Sequence, residues 1–361
     1  MAKKKVVVAG ATGLVGSAAL RHFGASDDCE RLALSRRKPR DLYGARHVAI
    51  DLTNAEDCRR AAAELDGATH LIYAALYEAP NLVDGWRDPQ QIATNDLMLR
   101  NLMDVLEPAA PDLKHVALLQ GTKAYGVHVR PLIVPAREGR SEMYEQPNFY
   151  WAQENFLRAL QQGKSWHWSI LRPVLIIGEA MGGAMDLIPP LGVYAAMLRA
   201  QGRPLDFPGG AARVAQAVDV DLLARAIAWS GDAESARNQA FNVTNGDVFT
   251  WENIWPAIAD ALEMKPGKPV PLSLAQAWST WIAPWDQLRK QHDLIAPRLQ
   301  DFVGLSFQYA DYSMRYGQTT SGPPSIVSTV KINQAGFTEM MDTEVMFRKW
   351  FKQAKASRLL P

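Results

Sequence analysis

The apolar positions of this chain fall in short unbroken runs set between longer stretches of mixed polarity. Residues 6–9, 31–35, 47–50, 69–75 and 115–120 each hold a continuous apolar segment too short for a helix. Such runs predict strands buried on both faces. Between them, residues 14–23 read as a helix, 55–65 as a helix rich in alanine and free of Gly and Pro, and 92–106 as a long amphipathic helix stopped by Pro108. Strand and helix in alternation predict an α/β fold with a parallel, doubly wound sheet. Residues 166–171 with 173–177 read as a sixth strand, following a helix over 150–160. Residues 126–147, rich in Pro, Arg and Glu, read as a loop. Beyond them the pattern changes. Residues 187–201 are helical, 240–244 form a short strand returning to the core sheet, and Asn245–Gly246 marks a turn. Residues 251–361 read as mostly helical with proline-punctuated joints.

The first strand runs into Gly10-x-x-Gly13-x-x-Gly16, with Thr12, Leu14 and Val15 between the glycines and a helix after them. Strand, glycine turn and helix N-terminus together suit a phosphate. The backbone approaches closely, and unpaired N–H groups sit at the positive end of the helix dipole. The spacing is one residue longer at the first gap than the G-x-G-x-x-G dinucleotide pattern, as in extended short-chain dehydrogenases/reductases. The fold expected is therefore Rossmann-type, with an NADP-binding domain over 1–180 and a smaller, mostly helical substrate lobe over 181–361. The end of the second strand selects the cofactor. An acidic residue there would bind the ribose hydroxyls of NAD, whereas arginine accepts the 2′-phosphate of NADP. Ser35-Arg36-Arg37-Lys38 occupies that place, so NADPH/NADP is expected. Asp51 and Leu52 end the third strand, where such folds hold the adenine, although a strand-end Asp is also a common helix cap. Ala74 and Ala75, closing the fourth strand, complete the nucleotide side.

Composition narrows the field. A net charge of +1 suggests no nucleic-acid partner. Lys3, Lys4 and Lys5 read as a solvated tail ahead of the first strand. Two cysteines, Cys29 and Cys58, make neither a disulfide framework nor a metal spacing. No apolar run reaches the roughly 18 residues of a membrane helix, and no signal-peptide pattern precedes the first strand. The expected setting is the cytoplasm, with no membrane partner. Eleven tryptophans are many. Trp278, Trp281 and Trp285 share one face of a helix, which suits core packing or an aromatic-lined pocket.

The usual short-chain enzymes carry Tyr-x-x-x-Lys, the lysine lowering the pKa of the tyrosine that polarises the substrate oxygen. Here Tyr150 is followed by Glu154 at the lysine position. A cation is available elsewhere, because the fifth strand ends in Gln120-Gly121-Thr122-Lys123. A lysine at that strand end could reach the tyrosine hydroxyl in space.

With Lys123 in GTKAY and Tyr150 in NFYWAQE, the chain resembles the progesterone 5β-reductase/iridoid synthase-like (PRISE) family, as a bacterial-type member. The likeness includes GATGLVG at 10–16, SRR at 35–37, NDLMLRNLMDVLEPAAPDLKHVALLQGTKAYG at 95–126, WHWSILRPVLIIG at 166–178, VYAAMLRAQGRPLDFPG at 193–209 and AFNVTNGDVFTWENIWPAIAD at 240–260. The resemblance implies an NADPH-dependent ene-reductase acting on the C=C bond of enones, with Lys123 and Tyr150 as the catalytic pair. It implies a phosphate loop of Gly10, Gly13, Leu14, Val15 and Gly16, NADP selection by Arg36 and Arg37, and adenine contacts at Asp51 and Leu52. It places Gln120, Gly121, Pro173, Val174 and Ile176 beside the nicotinamide. Phe149, Met181 and Met185 are the expected substrate contacts, the substrate being a small hydrophobic enone, and a homodimer is the expected assembly. The loop over 127–147 and the region 276–320 depart from the plant members, which leaves the substrate open. Two other readings stand beside this one. One is an NADP-dependent carbonyl reductase or sugar-nucleotide epimerase; the other is a non-catalytic NADP-sensing protein.

Overall fold

A computed structural model describes residues 4–26, 28–79 and 85–361. Seven strands form one parallel sheet. They are β1 (Lys4–Ala9), β2 (Cys29–Ser35), β3 (Arg46–Ala49), β4 (His70–Tyr73), β5 (His115–Leu119), β6 (His167–Pro173) and the strand Gln239–Val243. Their order is Gln239–Val243, β6, β5, β4, β1, β2, β3. The order reverses beside β1, which is where open α/β sheets place their ligands, at the carboxyl ends of the strands.

Register explains the apolar runs. Leu32, Val7, Leu71, Val116 and Trp168 lie side by side across five strands. All five belong to one buried cluster with Leu99, Leu102, Leu106 and Leu157. The alternate residues Val8, Ala33, Ile72 and Ala117 are equally buried on the opposite face. Burying each Val, Leu or Ile side chain among them contributes about 1.5–3 kcal/mol. A sheet apolar on both faces shows no period-two pattern, which is why its strands read as unbroken runs.

Four helical segments on the chain from β1 to β6 carry most of the crossovers: α1 (Leu14–Gly24), α2 (Ala55–Arg60), α3 (Ala62–Leu65) and α4 (Pro89–Ala109). α5 (Phe149–Gln161) precedes β6. Several expectations need correction here. The single helix expected over 55–65 is broken at Ala61. α4 starts earlier than expected, with the Asp88 side chain accepting from the Gln90 amide and Pro89 in the first turn. It runs through Pro108 to Ala109, because a proline in the last turn forfeits only one hydrogen bond before the helix ends anyway. Lys4 and Lys5 are not a solvated tail: they begin β1, and Lys4 pairs with Asp232 at 2.9 Å. Lys3 lies outside the described residues. The sixth strand is shorter than expected and ends at Pro173, which has no N–H to continue a ladder.

The chain forms two compact units that do not follow a single cut near residue 180. The first gathers Met1–Val174, Val220–Val243 and Val327–Glu339; the second gathers Leu175–Asp219, Thr244–Ile326 and Met340–Pro361. Residues 126–147 are irregular, with one isolated bridge from Ala136 to Val327 inside the first unit.

The second unit is mainly helical. Its helices include Ile188–Ala200, Trp251–Ala261, Ile282–Gln291 and Thr343–Ala356. Leu175–Ile177, expected as part of the sixth strand, pairs instead with Ala217–Asp219 in this unit. Pro266–Pro269 pairs with Leu205–Phe207, a strand that the sequence Pro-Gly-Lys-Pro conceals. The tryptophan stripe is divided between a turn of 3-10 helix, Trp278–Trp281, and the helix that follows. Trp285 stacks on Phe302 with centroids 5.5 Å apart, and Trp281 meets Phe307 at 5.6 Å. Both indoles are packing groups of this unit.

Candidate active site

The glycine turn is closed by backbone contacts that only glycine permits. Gly10 has φ of +84°, and a Cβ there would lie 2.6 Å from the Ala74 carbonyl oxygen. A Cβ on Gly16 would lie 2.2 Å from the Gly10 carbonyl oxygen. The Gly10 and Ala11 amides both donate to the Leu34 carbonyl, at 3.1 and 3.2 Å. Gly13 is the N-cap of α1 and has no side chain to satisfy the first-turn amides of Leu14, Val15 and Gly16. Thr12 is exposed on the turn. Ala74 and Ala75 thus abut the turn, as the end of the fourth strand should. A cradle that a single methyl group would fill, at a helix N-terminus, fits a dinucleotide pyrophosphate.

Beyond β2, Arg36 and Arg37 are exposed. Ser35 does not project with them: its hydroxyl donates to the Arg37 carbonyl at 2.7 Å and lies 3.3 Å from His47 Nε2. That contact shapes the turn and leaves the guanidiniums to face outward. Asp51 is not the cap of α2; the Asn54 side chain is. The Asp51 carboxylate accepts from the Thr53 hydroxyl at 2.7 Å and the Thr53 amide at 2.9 Å. Those bonds, with Arg36 nearby, hold its carboxyl below the usual range. Leu52 is buried in the core, and its carbonyl accepts from Asn101 Nδ2 at 2.9 Å.

The chemistry-bearing residues meet at the carboxyl end of β5. Gly121 is extended, and Thr122–Tyr125 makes one turn of 3-10 helix that carries Lys123. The Lys123 ammonium sits 3.5 Å from the centroid of the Trp86 ring. Burial lowers its pKa to about 8, against the opposing charge of Glu78. Tyr150, in the first turn of α5, packs its ring edge-on to the same indole at 5.4 Å and to Phe149 at 4.8 Å. Phe149 itself lies 4.8 Å from Trp86. A Cβ on Gly121 would come within 3.3 Å of the Tyr150 hydroxyl and 3.5 Å of the Pro173 carbonyl oxygen. Lys123, Tyr150, Phe149, Gly121 and Pro173 are therefore brought together, and Trp86 joins them. Sequence reasoning missed Trp86. It lies in a polar Asp-, Gly- and Pro-containing stretch with no periodicity, and only its 2 % exposure and its indole bond to Glu78 at 3.0 Å mark it as fixed.

Glu154 points into a different environment. Its carboxylate accepts from Arg158 at 2.7 and 2.9 Å, from Gln120 Nε2 at 3.0 Å and from Arg172 at 3.3 Å. Arg172, 1 % exposed, also donates to Gln120 Oε1 at 2.8 Å, to the Tyr125 hydroxyl at 3.3 Å and to Glu142. Gln120 Nε2 reaches the Tyr150 carbonyl at 3.3 Å. Gln120 is thus a buried joint of this network, placed beside the strand end. Val174 donates its amide to the Val243 carbonyl at 3.3 Å. Ile176, Met181 and Met185 belong to the second unit and are half-buried there.

Residues 50–361 match the PRISE-like Rossmann-fold domain. The (S)-8-oxocitronellyl enol synthase of Antirrhinum majus is 29% identical over 98% of this chain and 92% of its own length. The 3-oxo-Delta(4,5)-steroid 5-beta-reductase of Arabidopsis thaliana is 28% identical over the same shares, 98% and 92%. Among solved structures, the UDP-N-acetylglucosamine 4-epimerase of Methanobrevibacter ruminantium M1 superposes with a TM-score of 0.66 at 17% identity, covering 99% of each chain.

Proposed function

The chain belongs to the PRISE-like Rossmann-fold family, and from that premise we propose that it is an NADPH-dependent ene-reductase acting on α,β-unsaturated carbonyl compounds. The observation that carries the reading is the source of the cation. Lys123 and Tyr150 pack on one indole, while Glu154, at the usual lysine position, is held in a buried ion-pair network. One relative's name specifies a 3-oxo-Δ4,5 steroid, which combines a ketone with a ring C=C bond.

The glycine turn would hold the cofactor's pyrophosphate and Arg36 and Arg37 the 2′-phosphate of NADPH, which when bound would supply a hydride for the β-carbon of the enone. Charge then builds on the carbonyl oxygen as an enolate. Tyr150 donates a hydrogen bond to that oxygen, and the Lys123 ammonium stabilises it electrostatically. Trp86 and Phe149 surround the pair with apolar surface, which strengthens both interactions by excluding water. The α-carbon takes its proton afterwards from water. Enolate stabilisation asks the tyrosine for a hydrogen bond and not for a completed proton transfer. A lysine on the same helix is therefore dispensable.

The test is product identification after incubation with NADPH, in parallel with NADH, on 2-cyclohexenone and on cyclohexanone. The expected product is cyclohexanone from the enone, faster with NADPH, with the saturated ketone untouched. Formation of 2-cyclohexenol, or turnover of cyclohexanone, would assign the site to carbonyl reduction.

A further inference from the structure

We infer that Asn148 is a positioning residue that sets the catalytic lysine turn against the catalytic tyrosine helix through the two ends of one carboxamide. Asn148 is 5 % exposed and stands at the N-cap of α5. Its Oδ1 accepts from the Tyr150 amide at 3.1 Å, and its Nδ2 donates to the Lys123 carbonyl at 3.3 Å. The chemistry of the partners fixes the orientation of the carboxamide: an N–H must face its oxygen and a carbonyl its nitrogen. No other residue type offers both groups at this length, since aspartate and serine can cap but the carboxylate cannot donate and the hydroxyl is shorter.

Helix capping alone does not require the second bond. The Lys123 carbonyl already accepts from the Gly126 amide at 3.1 Å, which closes its own turn. The bond from Asn148 joins two segments that are 25 residues apart in the chain. It ties the main chain of Lys123 to the first turn of the helix that carries Tyr150. Small displacements between reacting groups are costly in turnover, up to about 10²-fold for 1 Å. This inference rests on the enone reading only for its kinetic arm.

Asn148→Asp separates the two roles, because the carboxylate still accepts from the Tyr150 amide and can no longer donate to Lys123. The expected result is a thermal midpoint and NADPH binding close to wild type, with kcat on 2-cyclohexenone lowered about tenfold, the size of one lost hydrogen bond, and KM little changed. Asn148→Ser, which also keeps a cap, should show the same split and serves if the aspartate variant does not fold. An arm independent of turnover follows the ionisation of Lys123 by amine-directed labelling of its peptide across pH, read by mass spectrometry. The wild-type midpoint is expected near 8, and in Asn148→Ser, which adds no charge that would itself raise a lysine pKa, it should move toward the ordinary lysine value as the ammonium leaves the indole. Wild-type kcat in the variants and an unmoved midpoint in Asn148→Ser would overturn the inference, as would a loss of folding and turnover in equal measure. A moved midpoint in an enzyme that reduces no enone would keep Asn148 as the positioning residue and remove the ene-reductase reading.

Discussion

Two side chains of α5, one turn apart, have opposite surroundings. Tyr150 is set among rings, with Trp86 and Phe149 against it and the Lys123 ammonium on the same indole. Glu154 is set among charges, with Arg158, Arg172 and Gln120 on its two oxygens. The first surrounding, buried and rich in rings, strengthens any charge that enters it. The second neutralises charge internally and fixes geometry. The helix position that carries lysine in the usual short-chain enzymes is here a fastening, and under the proposed mechanism the cation comes from a strand end instead. A sparse aromatic pocket and a saturated polar network can share a helix because successive turns of α5 meet different neighbours.

The comparison breaks first at Glu154. Glu154→Gln leaves two guanidiniums short of a carboxylate and should cost about 3–5 kcal/mol of stability, measured by urea unfolding. Turnover per folded molecule should fall less than tenfold. If the variant were as stable as wild type yet inactive, Glu154 would belong with the chemistry and the contrast would be lost. Next in size is Tyr150→Phe, which removes one oxyanion donor and keeps the ring packing. Enone turnover should drop about 10²–10³-fold with NADPH affinity retained, by stopped-flow single turnover and fluorescence titration; undiminished turnover would remove Tyr150 from the mechanism.

The smallest effect sharpens the contrast through pH. Turnover should decline as pH rises past about 8, where Lys123 loses its proton. Stability should move the other way. The folded-state pKa of Lys123 lies below its ordinary 10.5, so between those two values the unfolded chain binds the extra proton and the folded state gains with rising pH. Measured against Lys123→Met to cancel other titrations, the stability deficit of wild type should shrink from pH 8 to 10.5. A deficit independent of pH would mean that Lys123 is not held dry in the folded state.

Local features were the legible ones. The glycine turn could be read because the positive φ at Gly10 and the close approach at Gly16 each demand one residue type. The strands could be read because a sheet buried on both faces leaves unbroken apolar runs. The pairing of Lys123 with Tyr150 came from topology, since one follows the end of a strand and the other begins the helix that leads into the next strand. What stayed hidden depends on residues far apart in the chain. Nothing near Glu154 announces Arg172, 18 residues on, or Glu142 across the same guanidinium. Trp86 carries no periodic signal. Pro173 looked like part of a continuing strand, yet it closes β6 and has no N–H to add to the ladder.

The network around Arg172 also bears on how this helix can be re-engineered. Changing Glu154 to lysine alone, toward the layout of the usual enzymes, would set a third cation beside Arg172 and Arg158 with Glu142 as the remaining carboxylate among these partners. Changing Arg172 alone would leave the buried Glu142 without its guanidinium, while Glu154 would keep Arg158. Each single step should lower stability through the buried charge that it leaves without its partner. A library that varies positions 142, 154 and 172 together should therefore recover folded lysine-bearing variants that one-at-a-time substitution does not.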